Sequence, residues 1–143
     1  SDEIYKIINS SRNIKNNFSL NLKSERPYVG RQTLLDSILL FLTLYPQLAL
    51  DYSEKLVKLN FNNKSKNKIL LILLDMIITN ENLDRIEFNN HLETIGLNNI
   101  ISNLNKGSII KRIGYDPLQL DKDKIEKNFS GLLERALVEN KRI

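Results

Sequence analysis

Ten consecutive residues, Ile69-Leu-Leu-Ile-Leu-Leu-Asp-Met-Ile-Ile78, carry a single charge, and any fold of this chain has to hide most of them. Such a run fits a buried strand or a buried helix, and periodicity alone does not separate the two. Length and surroundings favour a helix. The pattern continues to Thr79, Ser65 offers an N-terminal cap, and no other segment makes a convincing strand to pair with it. The run is therefore read as the central helix of an all-α core.

Other segments repeat the helical signature. In Arg31 to Tyr45, residues Leu34, Leu35, Ile38, Leu39, Phe41 and Leu42 leave a thin polar edge of Gln32, Asp36 and Thr43, and Pro46 ends the helix. A shorter helix follows at about Asp51 to Leu59, with Tyr52, Leu56, Val57 and Leu59 apolar. The polar, basic stretch Asn60 to Asn67 reads as a loop. Asp84 to Ile95 carries Phe88, Leu92 and Ile95, with Gly96 at its C-terminal cap. Asn98 to Asn105 forms a short helix closed by Gly107, and Ser108 to Leu120 reads as a turn-rich crossover. Asp121 opens a long final helix whose stripe is Ile125, Phe129, Leu132, Leu133, Ala136 and Leu137.

The expected architecture is an all-α bundle of about six helices with a long C-terminal helix. Residues 1–30 form a short helix (Asp2 to Ser10, with Ile4, Ile7 and Ile8 on one face) and a polar linker or strap. Residues 31–120 form the bundle, and 121–143 the last helix. With 143 residues, 41% hydrophobic and 27% charged, the chain has the size and balance of one packed domain. The start at Ser1 reads as a piece cut from a longer protein.

Chemistry-bearing motifs are scarce. There is no cysteine, which removes disulfides, thiolate metal sites and cysteine nucleophiles. His91 is the sole histidine; beside Asn89, Asn90 and Glu93 it reads as a solvated helix residue rather than a metal ligand or a base. Asp121 and Asp123 at a helix start read as a cap and a dipole complement. Lys106-Gly107-Ser108 has the wrong order for a phosphate loop. No catalytic centre, metal, cofactor or small-molecule ligand is expected. No signal peptide or membrane span is seen, so the cytoplasm is the default. Nineteen asparagines reflect AT-rich codons, and the four N-x-S sequons at Asn9, Asn17, Asn63 and Asn128 follow from them.

A net charge of +4 permits a weak contact with phosphates. Lys64, Lys66 and Lys68, with Lys106, Lys111 and Arg112, are the residues for it if their loops converge; solvated loops are the plainer reading. The last helix is the better candidate surface. Its stripe closes the bundle, while its far end, Leu137 to Ile143, can run past the bundle and offer an apolar ridge to another protein.

Thr33-Leu-Leu-Asp-Ser-Ile-Leu-Leu-Phe-Leu-Thr-Leu-Tyr-Pro-Gln-Leu-Ala49 resembles the first helix of the C-terminal domain of bacterial DnaG-type DNA primases, including the stop Tyr45-Pro46-Gln47-Leu48-Ala49. The order of elements after it is similar too, so the resemblance covers about Gln32 to Ile143. It implies a helicase-binding domain, which docks primer synthesis onto the N-terminal domains of the replicative helicase at the bacterial replication fork. The parent protein it implies is a nucleotidyltransferase whose zinc-binding and polymerase modules lie upstream of this stretch. In that family the last helix leads into a terminal hairpin that makes much of the helicase contact, whereas this sequence stops at Ile143. The positions carried over are therefore Leu133, Arg135, Leu137, Val138, Lys141 and Arg142. Two alternatives stay open: the N-terminal helical domain of a replicative helicase, and a basic helical module that binds nucleic acid.

Overall fold

In the computed structural model, residues 30–141 are described, and they are all-helical. The elements are α1 (Arg31–Leu44), α2 (Leu48–Asp51), α3 (Ser53–Leu56), α4 (Lys64–Thr79), α5 (Arg85–Thr94), α6 (Asn98–Ser102), α7 (Lys106–Ile113), a 3-10 turn at Pro117–Gln119 and α8 (Lys122–Lys141). The expected helix at Asp2 to Ser10 and the linker after it lie outside the described residues.

α1 is the axis of the bundle, because its apolar residues leave almost no polar side. Every residue from Leu34 to Thr43 is buried except Asp36. Thr43, expected on the polar edge, is buried as well. Its hydroxyl donates to the Leu40 carbonyl at 2.9 Å, which satisfies it locally. Ser37 does the same with the Thr33 carbonyl at 2.6 Å. α8 packs along α1, and α5 and α7 pack on other parts of it.

The rings of Phe41 and Phe129 meet at 5.8 Å, and Tyr52 stands edge-on to Phe129 at 5.3 Å. Lys122, Ile125 and Glu126 of α8 lie beside Tyr45 and Leu48, past the end of α1. The chain therefore runs along α8 in the direction opposite to α1. Phe129, Leu132, Leu133 and Ala136 belong to the same core as Leu35, Ile38, Leu73 and Phe88.

α4 begins earlier than expected. Asn63, not Ser65, caps it, its side chain accepting from the Lys66 amide at 3.0 Å. Lys64, Lys66 and Lys68 thus ride on the first turns of a helix rather than on a loop. The cap arises because Asn62 turns the chain with a positive φ of 57°, a conformation asparagine tolerates.

In place of one helix over Asp51 to Leu59 there are two one-turn helices, α2 ending at Asp51 and α3 at Ser53–Leu56, and Val57 faces water. The expected crossover Ser108 to Leu120 contains a helix, α7. Asn105 caps it through the Ser108 amide at 3.0 Å, and Gly107 is its second residue instead of a terminator. The true stop is Gly114, at φ 92°.

Candidate functional site

The four carried-over positions with described side chains, Leu133, Arg135, Leu137 and Val138, separate by depth. Leu133 is 0% exposed and belongs to the core, so no docked partner can reach it in this fold. Leu137 is partly buried against the same core. Arg135 is half-buried, close enough to Tyr115 for its positive charge to act on the phenol. Burial pushes the Tyr115 hydroxyl above its usual range, and the nearby guanidinium pulls it partly back. Among the described side chains of this set, Val138 is the one that faces water, at 51% exposure. The Lys141 side chain and all of Arg142 lie outside what is described.

Antiparallel packing sets how far this ridge extends. Nine residues forward from Phe129 is Val138, and nine residues back from Phe41 is Gln32. Val138 therefore comes about level with the first turn of α1, and only the last turn of α8 passes it, given a rise of about 1.5 Å per residue.

The basic residues do not form one cluster. Lys66 pairs with Asp36 at 2.8 Å, and both side chains are mostly buried. That pair ties α4 to the N-terminal half of α1 and withdraws Lys66 from any phosphate. Lys64 and Lys68 are exposed nearby. Lys111 and Arg112 are also exposed, but α7 leads directly to Tyr115, against Phe41, and to Pro117, whose carbonyl accepts from the Tyr45 hydroxyl at 2.9 Å. They lie toward the other end of α1.

Two open clefts flank the corner at Pro46. One, of about 510 Å³, is lined by Leu44, Tyr45, Pro46, Leu83, Arg85 and Ile86 among others. The other, of about 380 Å³, lies between Leu48, Asp51 and the start of α8. The Asp84 carboxylate at the first cleft accepts the Glu87 amide at 2.8 Å as the cap of α5. Asp121 caps α8 in the same way, through the Lys124 amide at 2.9 Å. Among the described residues no group of three or more His, Cys, Asp or Glu is placed to hold a metal ion, and no helix is long and apolar enough to cross a membrane.

Some exposed residues carry a signal that the sequence reading missed. Leu71 and Ile78 belong to the run read as the central core helix, yet they are 64% and 75% exposed. Asp75 marks their side of α4, since positions four before and three after a residue share its helical face.

Compared with protein-family models, curated proteins and solved structures, the chain matches none.

Proposed function

We propose that this chain is a protein-docking module of the kind found at the C-terminus of bacterial DNA primases, binding the N-terminal domains of the replicative helicase through the end of α8. The observation that carries it is Val138, which leaves the core stripe for water at the end of the longest helix while Leu133 and Leu137 anchor that helix behind it. A ridge held this way presents an apolar side chain without being free to collapse. The consequence of docking is adhesion: a tethered primase is present at the fork at high effective concentration. Catalytic residues are not required for that role.

Calorimetric titration of the chain into the cognate helicase N-terminal domains tests the reading. Saturable binding that persists as salt rises is the expected result. A DNA-binding module would instead lose orders of magnitude in affinity for DNA between about 50 and about 200 mM salt. No heat with the helicase, together with steeply salt-dependent DNA binding, overturns the proposal.

A further inference from the structure

The outward face of α4 is unpartnered among the described residues. Lys64, Lys68, Leu71, Asp75 and Ile78 follow at steps of four, three, four and three, the spacing that lines up one stripe for a facing helix. All five are exposed, and the half-buried Ile72 and Met76 border them. The other apolar side chains of this helix, Ile69, Leu70, Leu73, Leu74 and Ile77, are in the core. Two large aliphatic groups on one outward stripe are therefore left in water.

We propose that this stripe is the contact surface for a second copy of the same chain, paired antiparallel through α4. The order of charges selects that occupant. Lys68 stands three residues before Leu71, and Asp75 three residues after Ile72, so the two charges are symmetric about the middle of the stripe. An antiparallel copy centred there places each Lys68 against the other copy's Asp75, and the two-fold axis makes the contact twice. Leu71 then packs at the centre on its counterpart and on Ile72. Lys64 comes level with the second copy's Thr79, so its aliphatic stem lies over Ile78 while its ammonium stays in water.

A parallel arrangement would instead oppose Lys68 to Lys68 and Asp75 to Asp75, which is repulsive. Neither Lys68 nor Asp75 is ion-paired among the described residues. The helix dipoles also oppose head to tail in the antiparallel pair. The surface is small, so the dimer is weak and forms only as concentration rises. The inference stands apart from the helicase reading, because it uses a different helix and needs no helicase.

Sedimentation velocity on the full chain, from micromolar to submillimolar concentration, tests it. The wild type shifts from monomer to dimer. Lys68→Asp and Asp75→Lys each weaken self-association by about tenfold or more, because both cross-pairs become repulsive. Mixing the two variants restores a dimer at least as tight as wild type, since opposite charges face each other again. Leu71→Glu abolishes association. All three positions are exposed, and unchanged melting curves confirm that each variant is folded. A wild type that stays monomeric at every concentration overturns the proposal. So does a dimer indifferent to Leu71→Glu, or a mixture of charge variants that fails to recover.

Discussion

Leu133 and Val138 stand five residues apart on one helix and do opposite work. Leu133 fills the core beside α1, so Leu133→Ala should cost about 2–5 kcal/mol of stability through lost burial and the cavity left behind. Val138→Asp should change stability by no more than about 0.5 kcal/mol, because its side chain already meets water. Urea denaturation of the two variants checks the contrast; equal losses would mean that the end of α8 is not a free ridge. Tyr115 offers a second test at this scale. Its pKa in the fold is raised from 10.0, chiefly by burial and against the opposing pull of Arg135. A raised pKa means the folded state holds the proton longer than the unfolded state, so its contribution to stability is fully present below pH 10. That contribution is lost as pH climbs through the folded value. Melting curves recorded upward from pH 9 should fall more steeply in wild type than in Tyr115→Phe.

Individual helices are set by their ends as much as by their stripes. Asn63 satisfies one of the free amides at the start of α4, and Asn63→Ala should cost about 1 kcal/mol. Gly114 ends α7 at φ 92°, where nothing lies within 4 Å of an added Cβ. Gly114→Ala therefore meets no clash, yet should still cost about 1–2 kcal/mol from the left-handed backbone alone; chemical denaturation reads both. These ends explain which elements were legible beforehand. α1, α4 and α8 announce themselves by long apolar patterns, and Pro46 and Asp121 mark true boundaries. α7 was hidden because it is short and basic, contributes one fully buried apolar residue, Ile109, and carries Gly107 inside it, where glycine usually signals an end. The start of α4 was hidden because three lysines and two asparagines resemble a loop, until the Asn63 side chain and the Lys66–Asp36 pair give them a reason to be helical.

At the scale of the molecule, α1 is enclosed by packed helices, and the functional surfaces are what that packing leaves outside. The all-helical architecture followed from the sequence, since no segment alternates like a strand and one run is too apolar to be exposed throughout. Depth did not follow. The run from Ile69 to Ile78 does not disclose that Leu71 and Ile78 turn outward, because that depends on which neighbours α4 packs against. Nor does the stripe of α8 disclose where burial ends and Val138 begins, since antiparallel alignment with α1 decides it. The chain contains no cysteine, so a single one can report on that point. Val138→Cys, labelled with an environment-sensitive fluorophore, should shift to the blue and saturate as the cognate helicase N-terminal domains are added. The same label on the exposed face of α5, at Glu93→Cys, should not respond. No change at position 138, or an equal change at both, would contradict docking through the end of α8.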